Sequence, residues 1–169
     1  MNKQEILEEI NKTEEHLANM KKMLEECEYE RWKPKEGEKY WYITNSNQVT
    51  QINYTSTRSY EYEDDCQRWS VYNCFQTKEQ AEAEAEKILV RRQLENIARR
   101  LNRGRKINWD NFDQIKYFIY LDCTTQLMRR DCDFRNKIQG VVYCLSDNFV
   151  SVAKHEIGEE RLKKYLRGE

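Results

Sequence analysis

One proline, five glycines and two histidines are all that 169 residues hold of those types. So little glycine and proline excludes collagen-like and linker-rich classes. It also leaves little material for glycine loops that cradle phosphates, and no P-loop, G-x-G-x-x-G or G-x-S-x-G occurs. His16 and His155 are the only imidazoles. Both read as surface residues, which leaves few bases for nucleophilic catalysis, and no enzyme is expected. No run of about 18 apolar residues is present, so no membrane span is expected. The N-terminus alternates acidic and apolar residues and lacks a signal-peptide core, which suits a cytoplasmic protein. Neither charge sign dominates: 29 Lys and Arg stand against 30 Asp and Glu. That excludes a wholly basic chain and an acidic tail.

Polarity and aromatic rings are abundant instead. Charged residues make up 35% and aromatic residues 12%, with eleven tyrosines, too many rings for a disordered chain. The six cysteines lie at 27, 66, 74, 123, 132 and 144, with no C-x-x-C pair. Without an export signal they read as reduced thiols. Cys66 and Cys74 are eight apart and Cys123 and Cys132 nine apart, wider than strong zinc pairs. A hairpin can still join distant cysteines, and Cys144 or His155 could complete such a set. The alternative is small apolar residues in strands. Neither a metal nor a cofactor is expected.

Residues 2–29 read as one helix. Ile6, Ile10, Thr13, Leu17, Met20, Leu24 and Cys27 alternate gaps of four and three, a heptad seam on a charged rod. Such a seam needs a partner, either the rest of the chain or a second copy in a homodimer through residues 6–27. Pro34 stops the helix. Lys39 to Ile43 and Val49 to Tyr54 read as strands around an Asn45-Ser46-Asn47 turn. Thr55 to Asp65 reads as a polar loop and Arg68 to Phe75 as a third strand. Thr77-Lys78-Glu79-Gln80 is a capping box opening a helix to about Leu101, with Gly104 as terminator. Ala81, Ala85, Ile88, Leu94, Ile97, Ala98 and Leu101 make its buried face.

Residues 107–169 repeat this plan. Trp109 precedes Tyr117 by eight positions, as Trp32 precedes Tyr40, and Lys116-Tyr117-Phe118-Ile119-Tyr120 aligns with Lys39-Tyr40-Trp41-Tyr42-Ile43. Val142-Tyr143-Cys144-Leu145 resembles the 71–75 segment, and Ser146 can open the second helix as Thr77 opens the first. Gly158 is a break. The expected class is α+β: an N-terminal heptad helix (1–30), then two related antiparallel β-meander-plus-helix units (31–104 and 105–169).

Charge placement says more than its sum. Between 91 and 106, Arg91, Arg92, Arg99, Arg100, Arg103, Arg105 and Lys106 stand against Glu95 alone. Arg92 and Arg99 are one heptad apart, and Arg99 and Arg103 are four apart, so several share a helix face that could hold phosphates. The other reading is a solvated face that pairs with the N-terminal rod, where nine Glu stand against four Lys. The opposite feature is Tyr60-Glu61-Tyr62-Glu63-Asp64-Asp65, four acids interleaved with two rings. Such a patch suits the Arg-rich wall of a nucleic-acid channel, or is an ordinary solvated loop.

The stretches RWKPKEGEKYWYI (31–43), NCFQTKEQAEAEAEK (73–87) and IGEERLKKYL (157–166) resemble small uncharacterised proteins of bacteriophages and prophages in low-GC Gram-positive bacteria. The resemblance covers most of 31–166. It departs at Cys144-Leu145 and in the arginine-rich 91–106 stretch. It implies a phage lineage, and by analogy a role like that of anti-CRISPR inhibitors of host defence. The leading expectation is therefore a non-enzymatic phage inhibitor in the bacterial host cytoplasm. It would bind a defence nuclease, most simply a CRISPR effector, through residues 60–65. The alternative is a nucleic-acid-binding accessory factor using the basic 91–106 stripe.

Overall fold

The computed structural model describes residues 4, 9, 12–14, 16–20, 31–56, 60–133 and 136–169. It divides into two compact units, Met1–Lys33 and Pro34–Glu169. In the first, the described residues up to 20 are helical, and the Thr13 hydroxyl donates back to the Glu9 carbonyl at 2.7 Å. Leu17 and Met20 of the expected seam are 46% and 50% exposed. Ile6, Ile10, Leu24 and Cys27 lie outside the described residues, so the rest of that seam does too.

The second unit mixes helices with two small antiparallel two-stranded sheets. β1 (Lys39–Ile43) and β2 (Val49–Asn53) form the first hairpin, pairing Tyr40 with Ile52 and Ile43 with Val49. Asn47 turns it at φ 64°, a conformation Asn tolerates. Two features then depart from expectation. The second half of the polar loop and the first three residues of the third strand belong to a helix, α1 (Tyr60–Ser70). Its Glu61 and Glu63 lie in the first turn and Arg68 in the last, which complements the helix dipole. Tyr, Trp and Val favour strands on average, but only Phe75 pairs here, as one bridge to Trp41 with N···O distances of 2.9 and 2.8 Å. Beside it the Asn73 side chain takes the place of a strand: it accepts from Ile43 N at 2.8 Å and donates to Ile43 O at 2.7 Å.

α2 (Lys78–Asn102) begins at the expected capping box. Gln80 N donates to the Thr77 hydroxyl, and Thr77 N donates to the Gln80 side chain, both at 3.3 Å. Its buried residues do not form the one face expected. Ala81 and Ala85 lie four apart and pack toward the first hairpin. Val90, Leu94, Ile97 and Ala98 lie roughly half a turn round the helix, at about 100° per residue. They join a separate core with Ile119, Met128, Cys144, Phe149, Ala153, Ile157 and Leu162. One helix thus serves two hairpins with opposite faces. Arg103 at φ 50° and Gly104 at φ 78° end it.

β3 (Lys116–Asp122) and β4 (Leu127–Asp133) form the second hairpin, and Tyr117 bridges to Cys144 at 2.7 and 2.8 Å. The bridges shift the expected correspondence by one residue. Trp41 matches Tyr117, so Tyr40 matches Lys116, and both of these are fully buried with a buried isoleucine three residues on. A one-residue slip would turn a buried face outward. α3 (Phe149–Ile157) and α4 (Glu159–Arg167) follow, parted by Gly158 at φ 94°. Ser146 does not cap α3. Asn148 holds that position with no side-chain cap bond, and Ser146 Oγ accepts from Asn148 N at 3.4 Å.

Candidate nucleic-acid interface

The basic stripe is built by the change of face along α2. Ala81, Ala85 and Ile88 start a row that the first hairpin covers. Arg92, Arg99 and Arg103 continue nearly the same row past the end of that cover. All seven cations of the stretch are exposed, but they are not equally available. Arg91 Nε pairs with Glu95 at 3.1 Å. Arg100 meets both Glu156 oxygens at 2.6 and 2.5 Å. Arg105 Nε donates to the Asn102 carbonyl at 3.2 Å. Among the described residues, the side chains of Arg92, Arg99, Arg103 and Lys106 have neither an ion pair nor a hydrogen bond. Among the described residues, the partners of the stripe lie on α2 and α3.

A groove opens at the Arg92 end. It has a volume of about 550 Å³ and runs between the first hairpin turn, the α1–α2 connection and α2. Thr44, Asn45, Tyr72, Asn73 and Phe75 line it with Arg92. Tyr72 is 74% exposed and sits at φ 62°. It ends α1 in a Schellman turn, in which Tyr72 N donates to Trp69 O at 3.1 Å and Asn73 N to Arg68 O at 2.8 Å. A strand over 68–75, as expected from its composition, would leave no such groove; the turn at Tyr72 opens it.

The acidic set lies on α1, not on a loop. Tyr60 is 90% exposed, and Glu61, Glu63 and Asp64 are exposed, with Tyr62 half-buried. Asp65 is fully buried and leaves the acidic surface. Its Oδ1 accepts from Tyr40 OH at 2.5 Å and Arg68 Nη1 at 3.0 Å, and its Oδ2 accepts from Thr55 N at 3.0 Å. The Arg68 guanidinium also lies 4.3 Å from the centre of the Tyr42 ring. Burial, then the Asp65 hydrogen bond, push the Tyr40 phenol well above its ordinary value. This network clamps α1 onto β1.

The groups weighed for other chemistry are dispersed. His16 and His155 are exposed. Cys66 and Cys74 are half-buried, Cys123 and Cys132 exposed, and Cys144 buried. Burial pushes the Cys144 thiol up, and its sulfur lies 3.3 Å from Asn102 Oδ1. Among the described residues, no three of His, Cys, Asp and Glu gather as metal ligands, and no helix is long and apolar enough to cross a membrane.

No protein-family model, curated protein or solved structure matches the chain.

Proposed function

We propose that this chain is a non-enzymatic binding protein whose binding surface is the arginine face of α2, and that its ligand is nucleic acid. The observation that carries the reading is the row of Arg92, Arg99 and Arg103, with Lys106 beyond the helix end, exposed and without internal partners among the described residues. Exposed cations spaced along one face repel one another only weakly through solvent, and an extended anionic ligand can engage all of them at once. A phosphate backbone is such a ligand and makes affinity fall steeply with salt. The two hairpins, each bridged to the segment before a helix, support a duplicated β-hairpin-plus-helix platform around α2. A gel-shift titration with 30-nucleotide DNA and RNA tests the reading. Arg92→Glu with Arg99→Glu should weaken binding more than about tenfold at low salt. Equal binding by the double variant would remove it.

A second reading keeps the phage-inhibitor role. Tyr60, Glu61, Glu63 and Asp64 form an exposed aromatic and acidic end of α1 that could occupy the Arg-rich wall of a defence nuclease such as a CRISPR effector. Asp65 has no part in it, being held inside by Tyr40 and Arg68. Reversing the three exposed acids should abolish inhibition of such a nuclease, and unchanged potency would end this reading.

A further inference from the structure

We infer that the nucleic acid is single-stranded, and that the groove beside Arg92 takes one of its bases against the Tyr72 ring. This deepens the proposed function and rests on it.

The first ground is backbone conformation. Among the described residues, four other than glycine hold a positive φ: Asn47, Tyr72, Arg103 and Gln126. Gln126 belongs to the tight turn of the second hairpin. Asn47 and Tyr72 line the groove, and Arg103 lies on the arginine row. Asn tolerates this conformation, whereas Tyr and Arg do so at a cost. Tyr72 holds the position in a Schellman turn where glycine is the usual residue. Tyr72 is 74% exposed, so its burial offsets little of the local strain. Strained residues whose side chains reach solvent gather at ligand sites.

The second ground is the chemistry of the groove. An exposed tyrosine stands with the Asn45 amide, while Asn73 and Thr44 hold the groove wall through their bonds to Ile43, Ser46 and Gln48, and Arg92 begins the cationic row. Stacking on a ring needs an unpaired base, whose face a duplex hides. A cationic track that leads to an aromatic platform is the arrangement that binds single strands with little sequence preference. Glu84 also lines the groove, two helical turns before Arg92.

Fluorescence anisotropy with a labelled 20-nucleotide mixed-sequence strand, as DNA and as RNA, and with the matching duplexes, tests the inference on the full chain. Tyr72→Gly is the informative variant, because glycine suits φ 62° and the fold should melt no lower than wild type. Tyr72→Asn serves the same purpose if Tyr72→Gly fails to fold. The expected result is single-strand binding at least about tenfold tighter than duplex binding, with Tyr72→Gly losing about tenfold on the single strand alone. The DNA and RNA arms tell which strand chemistry the groove accepts. Equal affinity of Tyr72→Gly for the single strand, or a preference for duplex, would overturn the inference while the arginine-face reading stands. Binding of neither form by the wild type would remove both.

Discussion

Tyr40 and Lys116 occupy the same place in the two hairpins, and the protein solves the same problem there in two ways. Each is fully buried, precedes the bridged strand residue, and carries a polar end into the interior. In the first hairpin the phenol meets a carboxylate and a guanidinium supplied by an extra helix, α1. In the second, Lys116 Nζ donates to the Asn111 carbonyl at 2.7 Å and lies 5.3 Å from the centre of the Trp109 ring, both on the preceding loop. The polar solution of the first hairpin thus requires a helix, and that helix in turn presents Tyr72 to solvent. The second hairpin uses local chain and leaves its inner face to a larger apolar core. The difference explains why the candidate site gathers on the first half.

Breaking the clamp should show the largest asymmetry. Asp65→Ala removes the shared acceptor of Tyr40 OH, Arg68 Nη1 and Thr55 N, and should cost roughly 3 kcal/mol in urea unfolding. Lys116→Met, which trades a buried cation for an apolar chain of similar length, should cost less than about 1 kcal/mol. The same clamp has a pH signature. Because the fold raises the Tyr40 phenol, its share of stability is complete below the ordinary tyrosine value near 10 and is lost as pH rises through the folded value. Tyr40→Phe should therefore flatten the alkaline limb of a pH–stability curve, leaving the parts due to Cys144 and Tyr165, which burial also raises. An unchanged limb would show that Tyr40 is not held in this way.

Two asparagines sharpen the comparison at intermediate size. Asn73 makes two bonds to Ile43, and Asn102 Oδ1 accepts from Leu145 N at 2.7 Å. Asn73→Ala should cost about 2 kcal/mol and Asn102→Ala about 1–2 kcal/mol by urea titration. The caps should differ least. Thr77→Ala removes a capping box and should cost about 1 kcal/mol, whereas Ser146→Ala should cost only about 0.3 kcal/mol. Equal costs would make Ser146 a cap after all.

Local signals were the legible ones. β1, β2 and β3 follow from short β-rich runs between turn residues, and α2 follows from its capping box and spacing. α1 was not legible, because its helical period is only Tyr62, Cys66 and Trp69, two of them strand-favouring rings, and its one buried residue is an aspartate. Only Tyr40, 25 residues away, explains that burial. The single buried face expected of α2 failed for a related reason: which side of a helix is covered changes when a second hairpin arrives from the far side. At the candidate site, spacing revealed the arginine row. It could not reveal that Arg100 is taken by Glu156, 56 residues away, nor that Tyr72 borders a groove.

Phosphate is the ligand proposed for the cations from Arg92 to Lys106. The salt dependence of nucleic-acid affinity tests it most directly. Across 50 to 200 mM salt, log K against log salt should fall with a slope of about −3 for a single strand held by four cations, and Arg92→Glu with Arg99→Glu should bring it to about −1.5 or shallower. A wild-type slope near zero, or one that the double variant leaves unchanged, would contradict it.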